Sequence, residues 1–223
     1  MLISDIILLI VVYTYVVAIF VIAEKLLKNK PTLSRKFVHI MVGNMIFIMP
    51  FFSSSYIMVW FLTLPITIAV FLLTEYSPIK VKNSVTKSGY ALGLFFYAAI
   101  WTLLILIFPN DLWIVGLAIA ALVYGDGFAS LIGAKFGKIK YNLTGDNKTL
   151  EGSLTMFVVV SVMSVFVWMF YYSLGYHMPS FNFVAILGIS GIATFAEAIT
   201  PGGADNISLT VVTAFCYYLM SIL

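Results

Sequence analysis

Long apolar segments separated by short polar connections leave this chain few folds to choose from. Hydrophobic residues make up 62% of the 223 residues, charged residues make up 9%, and the mean hydropathy is +1.09. This composition is too apolar for a water-soluble domain. A helix needs roughly 20 apolar residues to cross a hydrocarbon core. On that scale, eight segments predict membrane-spanning helices: residues 3–23, 37–52, 56–74, 91–108, 112–132, 154–172, 183–198 and 207–223.

We therefore predict an all-α fold, a polytopic integral membrane bundle of about eight transmembrane helices that forms one membrane-embedded domain over residues 1–223. The second and seventh segments are short, which indicates a tilted helix or one that ends inside a wet cavity. The first segment runs into Glu24, Lys25 and Lys28 without a basic leader or a small-residue cleavage site. We expect it to be a retained helix and not a signal peptide, with the mature chain beginning near Met1.

The basic residues predict the orientation of the bundle. All 12 Lys and Arg residues fall in three connections, and they are Lys25, Lys28, Lys30, Arg35 and Lys36, then Lys80, Lys82 and Lys87, then Lys135, Lys138, Lys140 and Lys148. Short loops rich in Lys and Arg stay in the cytoplasm. We predict that these loops and the 200–205 turn face the cytoplasm, with both termini outside. The positive charge on this face of the membrane would attract either anionic lipid headgroups or a phosphate-bearing substrate.

Asp126 lies within an apolar segment of the sequence. Burying a carboxylate in such a segment costs free energy, so the residue usually has a partner or a function. In a regular helix, Asp126, Ser130, Gly133 and Gly137 share one face. The row formed by Ala129, Gly133 and Gly137 also predicts close helix packing. Packing does not explain the carboxylate of Asp126. A role as a Mg²⁺ ligand, beside a groove with room for phosphate, does explain it.

A second polar cluster opens the sixth segment, where the chain reads Lys148-Thr149-Leu150-Glu151-Gly152. One interpretation is a helix start, in which Thr149 is the cap and Glu151 favours the positive end of the helix dipole. The other is a phosphate site, in which Lys148 and the N–H groups of the helix start hold phosphate oxygens. Both interpretations stay open at this point.

The third cluster lies around the last connection. Glu197 is placed inside a helical run, where a capping role does not explain it, and Pro201 ends that run. Asp205 is either the N-cap of the last helix or a second acid of the same site, beside Asn206. Near the second segment, His39 is either an interfacial hydrogen-bonding residue or a member of the site.

In their order along the chain, these motifs resemble those of the CTP-dependent lipid-alcohol kinases, which include dolichol kinase, phytol kinase and the yeast-type diacylglycerol kinase and are distantly related to the CDP-diacylglycerol synthases. The resemblance covers residues 35–206. It rests on Arg35-Lys36-x-x-His39, Gly125-Asp126-x-x-Ala129-x-x-x-Gly133-x-x-x-Gly137, Lys148-Thr149-x-Glu151-Gly152-Ser153, and Glu197 with Asp205-Asn206.

The resemblance implies a kinase that uses CTP and Mg²⁺ to phosphorylate the hydroxyl of a membrane isoprenoid alcohol, of the polyprenol, dolichol or phytol type, at the cytoplasmic face. Asp126 and Asp205 are the expected metal ligands, and Glu197 is a third ligand or the base. The expected catalytic residues are Asp126, Glu197, Asp205, Lys148 and His39. The expected nucleotide- and phosphate-binding residues are Arg35, Lys36, Gly125, Gly127, Ser130, Gly133, Lys135, Gly137, Lys148, Thr149, Glu151, Gly152 and Asn206.

Three alternatives remain at this stage. Two are enzymes, a CTP-dependent diacylglycerol kinase and a cytidylyltransferase that forms a CDP-lipid. The third is a small-solute transporter, although such proteins place their sites near the midplane between inverted repeats, and the sequence shows no convincing repeat. The expected partners are the lipid and CTP, with no nucleic acid, and the small-residue helix faces permit a homodimer.

Overall fold

The computed structural model of the chain describes residues 1–74, 76–78, 92–144 and 146–222. Nearly all regular structure in these ranges is helical, which confirms the all-α prediction. The chain divides into two compact units, Met1–Leu112 and Trp113–Leu223. The predicted basic connection with Lys80, Lys82 and Lys87 lies outside the described residues, as does the start of the segment predicted at residues 91–108.

The described part of the first unit contains four helices, and they are α1 (Ile3–Leu26), α2 (Pro31–Gly43), α3 (Ser55–Leu72) and α4 (Gly93–Ile107). Helix α1 packs on α2, and α3 packs on α4. A π turn at Val59–Thr63 interrupts α3. The predicted helix at residues 37–52 is wrong in its second half, where the chain forms two 3₁₀ turns, Asn44–Phe47 and Met49–Phe51. Pro50 lies in the second turn and cannot donate the hydrogen bond that would continue a helix.

Helix α1 shows how the first unit meets its surroundings. Its buried face repeats every seven residues, at Asp5, Val12 and Ile19. Its outer face repeats in the same way and is exposed and apolar, at Ile3, Ile10 and Val17. A continuous apolar outer face is stable against lipid tails and unfavourable in water. The chain is therefore a membrane protein.

Asp5 joins the start of α1 to the connection before α3. Its side chain is 0% exposed. Its carboxylate accepts hydrogen bonds from the Leu2 N–H at 2.7 Å, the Ser53 N–H at 2.8 Å and the Ser53 hydroxyl at 2.7 Å. These three donors replace the water that the carboxylate loses on burial.

The second unit contains four helices and a short hairpin, and its elements are α5 (Leu112–Phe136), β1 (Lys140–Tyr141), β2 (Lys148–Thr149), α6 (Leu150–Ser173), α7 (Phe183–Ala198) and α8 (Asp205–Ile222). The two strands are antiparallel and pair Lys140 with Thr149 and Tyr141 with Lys148. Helices α5, α6, α7 and α8 pack in chain order. A π turn at Ala121–Asp126 interrupts α5 and contacts α6, α7 and α8, so it lies at the centre of the unit.

Several hydroxyl groups inside the second unit are satisfied within their own helices. Each donates to the carbonyl oxygen four residues earlier, as seen at Ser161, Ser190, Thr210 and Thr213. This local bonding lets a bundle bury polar side chains away from water.

Four helices among the described residues are long and apolar enough to cross a membrane by length and composition, and they are α1, α3, α5 and α6. Helices α4 and α7 are apolar but shorter. Every predicted segment overlaps one of the eight helices that the described residues form. The prediction that all eight cross the membrane, and the prediction of both termini outside, stay predictions.

Candidate metal and phosphate site

Three carboxylates that lie far apart in the sequence meet in the second unit. One oxygen from each of Asp126, Glu197 and Asp205 can be chosen so that all three oxygens lie within 4.8 Å of one another. We call these residues the acidic triad. Asp126 is 7% exposed and Glu197 is 9% exposed, so both are largely removed from water. Like charges this close repel one another strongly in a medium of low dielectric constant, which favours a bound cation.

Each member of the triad comes from an irregular point or an end of a helix. Asp126 is the last residue of the π turn in α5. Such turns widen a helix locally and are frequent at functional sites. Glu197 lies one residue before the end of α7, and Asp205 is the first residue of α8. The close packing of α7 on α8 brings these two residues together.

Lys148 contributes a positive charge to this cluster. Its Nζ lies 2.7 Å from Oε1 of Glu197, and both side chains are largely buried. The same ammonium group donates to the backbone oxygen of Glu197 and, at 3.2 Å, to that of Thr200. The Glu197 carbonyl oxygen belongs to the negative end of α7, which also attracts a cation, and that of Thr200 lies just beyond the helix end. Lys148 thus holds the carboxylate and the end of α7 at once.

The sixth segment begins as a helix start, as the first interpretation of that motif predicts. Thr149 is the N-cap of α6, and its hydroxyl oxygen accepts a hydrogen bond from the Gly152 N–H at 3.1 Å. Glu151 lies in the first turn of α6 and accepts from the Ile139 N–H at 3.3 Å. The phosphate-binding role of this helix start stays a prediction.

The glycines of the motifs allow α5 and α6 to pack closely. A Cβ atom added at Gly133 would lie 2.8 Å from the Thr149 hydroxyl oxygen, and one added at Gly152 would lie 3.1 Å from the backbone oxygen of Ala129. A Cβ atom at Gly125 would lie 2.6 Å from the Val160 side chain. This confirms the packing interpretation of the small residues. Their part in phosphate binding stays a prediction.

Gly137 faces the same neighbour as Gly133, because a Cβ atom added at either glycine would collide with the Thr149 side chain. Helix α5 ends at Phe136, and Gly137 is its C-cap with extended backbone (ψ 117°). Its N–H donates to the backbone oxygen of Gly133 at 2.9 Å. Residues from Gly127 to Phe136 form regular α-helix after the π turn, and the bond from Gly137 to Gly133 has the spacing of a helical turn.

The remaining predicted residues of the second unit differ in burial. Gly127 and Asn206 are buried, and Ser130 is half-buried. Lys135 is exposed, and its Nζ lies 4.9 Å from the centre of the Phe136 ring. Asn206 follows Asp205 directly, so it lies beside the triad.

Arg35, Lys36 and His39 lie on α2 in the first unit, where Lys36 and His39 are buried and Arg35 is half-buried. The His39 ring lies 4.3 Å, between centroids, from the ring of Tyr97. The Tyr97 hydroxyl donates to the backbone oxygen of His39 at 3.0 Å. Their participation in nucleotide binding and catalysis stays a prediction.

Asp146 is a polar residue near the triad that the sequence analysis did not select. Its Oδ2 accepts a hydrogen bond from the Gly202 N–H, across 56 residues of sequence. Its setting among Gly145 and Asn147 is typical of an ordinary turn. No local pattern in the sequence indicates a partner so distant.

The acidic triad fits a divalent cation. Mg²⁺ binds oxygen at roughly 2.1 Å, which places neighbouring ligand oxygens about 3.0 Å apart and opposite ones about 4.2 Å apart. The three chosen oxygens of the triad lie within 4.8 Å of one another, which is close to this range. Carboxylates are also the side chains that Mg²⁺ prefers, usually together with water and substrate phosphates.

The chain is similar to phytol kinases of plants and cyanobacteria. It is 30% identical over 224 residues to a "Probable phytol kinase, chloroplastic" of Triticum aestivum, with 93% of this chain and 73% of the relative covered. It is 32% identical to "Phytol kinase 1, chloroplastic" of Arabidopsis thaliana, with 84% and 66% covered, and 29% identical to "Phytol kinase" of Synechocystis, with 88% and 84% covered. No family model matches the chain, and no solved structure matches it.

Proposed function

This chain belongs to the lipid-alcohol kinase family that includes the phytol kinases, and we propose that it transfers the γ-phosphate of CTP to the hydroxyl of a membrane isoprenoid alcohol. Phytol is the first acceptor to test, because the relatives are named for it. Polyprenols and dolichol are acceptors of the same chemical class with longer chains.

The single observation that supports this proposal most is the meeting of the acidic triad with Lys148. Phosphoryl transfer requires mainly positioning and neutralisation of charge, supplied by a metal ion on the phosphates, a cation on their oxygens and a group that receives the alcohol proton. The second unit holds candidates for all three within one cluster.

Asp126 and Asp205 would hold Mg²⁺, with Glu197 either as a third ligand or as the base, and the ion would neutralise the phosphate charge that develops during transfer. Lys148 would exchange part of its contact with Glu197 for the phosphate oxygens of the nucleotide. The lipid hydroxyl oxygen then forms a bond to the γ-phosphorus as the bond from that phosphorus to the β–γ bridging oxygen breaks. The hydroxyl proton goes to a carboxylate, for which Glu197 is the candidate, and CDP leaves.

The topology belongs to the same proposal. Eight membrane crossings with both termini outside would place the three basic connections and the α7–α8 turn (residues 199–204) at the cytoplasmic face. A water-soluble nucleotide would then arrive from the cytoplasm, and the lipid would enter laterally from the bilayer. The whole chain would act as one catalytic domain.

The proposal is tested by transfer of labelled phosphate. The purified chain, reconstituted in lipid nanodiscs, is incubated with γ-labelled CTP or ATP, Mg²⁺ and, separately, phytol, geranylgeraniol, dolichol or diacylglycerol. We expect label in the organic phase with phytol and CTP, with CDP as the second product.

Other outcomes of this assay would overturn the proposed donor, the proposed acceptor or the proposed reaction. Label with ATP and none with CTP would overturn the choice of donor, and label on diacylglycerol alone would overturn the choice of acceptor. A chain that transfers no label, yet releases pyrophosphate and forms a CDP-lipid from a phosphorylated lipid, would be a cytidylyltransferase.

A further inference from the structure

The hairpin between α5 and α6 holds the α7–α8 turn at two adjacent places. Asp146 accepts from the Gly202 N–H, and Lys148 donates to the backbone oxygen of Thr200 at 3.2 Å. The turn leads directly into Asp205, the first residue of α8. Whatever fixes the turn therefore affects the position of this carboxylate.

Asp205 is itself bonded to the turn. Its Oδ1 accepts hydrogen bonds from the Gly203 N–H and from the Asn206 N–H, both at 2.9 Å. Gly202 and Gly203 follow one another, so their two N–H groups belong to successive peptide units. Asp146 holds the first of these N–H groups, and Asp205 holds the second.

We propose that Asp146 is a positioning residue for the acidic triad: its carboxylate anchors the Gly202 N–H and thereby fixes the peptide that orients the Asp205 carboxylate. The proposal rests on the proposed function, because it assigns Asp146 to the metal site of that same reaction. Asp146 acts through the turn and is not itself assigned as a ligand.

The sequence of the turn explains why an anchor is needed. Two consecutive glycines give the backbone more conformational freedom than any other pair of residues. Gly203 has φ +92°, a conformation that other residues rarely adopt, so the turn requires this glycine. Pro201 has no N–H to contribute to an anchor. A hydrogen bond from Gly202 to a charged acceptor compensates for this freedom, since such bonds are among the strongest in proteins.

The test measures metal affinity directly and uses the full chain in nanodiscs. Binding of Mn²⁺ alone, without nucleotide, is followed by electron paramagnetic resonance in the wild type, in Asp146→Ala and in Asp146→Asn. The matched control is Asn147→Ala, at the exposed neighbouring residue of the same hairpin. The unfolding temperature of every variant is measured in parallel.

We expect Asp146→Ala to raise the Mn²⁺ dissociation constant by about 10- to 100-fold, the usual effect of removing a residue that orients a metal ligand. Asp146→Asn should raise it less, because the amide oxygen can still accept from Gly202. Asn147→Ala should leave it unchanged. In the kinase assay, Asp146→Ala should raise the Mg²⁺ concentration for half-maximal turnover and leave the KM for the lipid alcohol unchanged.

Wild-type Mn²⁺ affinity in a folded Asp146→Ala variant would overturn the positioning role and leave the proposed function standing. If that variant fails to fold, Asp146→Ser, which keeps a polar side chain but loses the reach of the carboxylate, should show the same rise in the dissociation constant. Wild-type affinity in Asp146→Ser would overturn the proposal equally. A wild type that binds no Mn²⁺ and transfers no phosphate would overturn the proposed function together with it.

Discussion

Asp5 in the first unit and the acidic triad in the second unit both remove carboxylates from water, and they do so in opposite ways. Asp5 is a single carboxylate that three protein donors surround, two from the Ser53 region and one from Leu2. The triad places three carboxylates within 4.8 Å of one another, with the Lys148 ammonium on one of them.

Under the proposed function, this difference separates a structural acid from a functional one. The hydrogen bonds to Asp5 join two parts of the first unit, and its charge is satisfied by the protein itself. The triad concentrates like charge, which stabilises no fold and becomes favourable when a cation binds. If the proposed function holds, burial alone does not identify a catalytic carboxylate, and the number of neighbouring acids distinguishes the triad from Asp5.

The largest effect is expected for Asp126→Asn. The amide keeps the shape of the side chain but removes the charge that would bind Mg²⁺. Metal stabilisation of a phosphoryl-transfer transition state is worth several kcal/mol, so transfer to phytol should fall by about a thousandfold or more. The matched control is Asp111→Asn, at the exposed residue just before α5. Full activity of a folded Asp126→Asn variant would remove the triad from the mechanism.

A smaller loss of activity is expected for Lys148→Met, which removes the ammonium group and keeps the length of the side chain. Without this cation, the nucleotide phosphates lose one electrostatic partner, and kcat/KM for CTP should fall by about a hundredfold. Lys140→Met is the control, because Lys140 is exposed on the neighbouring strand. Mn²⁺ affinity should not weaken in Lys148→Met, since removing a positive charge favours a bound cation. A variant with normal CTP kinetics would show that Lys148 serves only the packing of α7.

The smallest effect on activity is expected for Asp5→Ala. This change removes the acceptor of three hydrogen bonds, so it should lower the unfolding temperature and leave the phosphorylation of phytol per folded molecule unchanged. Ser53→Ala, which removes the hydroxyl donor only, should lower the unfolding temperature less. If Asp5→Ala abolished phosphorylation in a folded protein, as Asp126→Asn is expected to, the distinction between the two kinds of carboxylate would be lost.

Much of the fold follows from hydropathy because a long apolar run in lipid has to satisfy its own backbone, which a helix does. The same rule does not show where a helix is interrupted. The break near Pro50 depends on a single missing N–H, and the π turn that ends at Asp126 depends on packing against three other helices of its unit. Hydropathy averaged over a segment is insensitive to both.

The core of the site was predictable because its residues conflict with their surroundings. Asp126 and Glu197 are charged residues in apolar runs, and Lys148 and Asp205 lie near the same predicted face. Asp146 was not predictable in this way, because an acid in a polar turn conflicts with nothing. The role of Asp5 was not predictable either, because an acidic residue is favoured at any helix start.

The most direct test of the acidic triad as a metal site is the number of Mn²⁺ ions that the purified chain binds, measured by electron paramagnetic resonance with wild type, Asp126→Asn and Asp5→Asn side by side. We predict about one tightly bound ion per chain in the wild type and in Asp5→Asn, and none in a folded Asp126→Asn. Equal binding by the wild type and Asp126→Asn would contradict the assignment of the triad as the metal site.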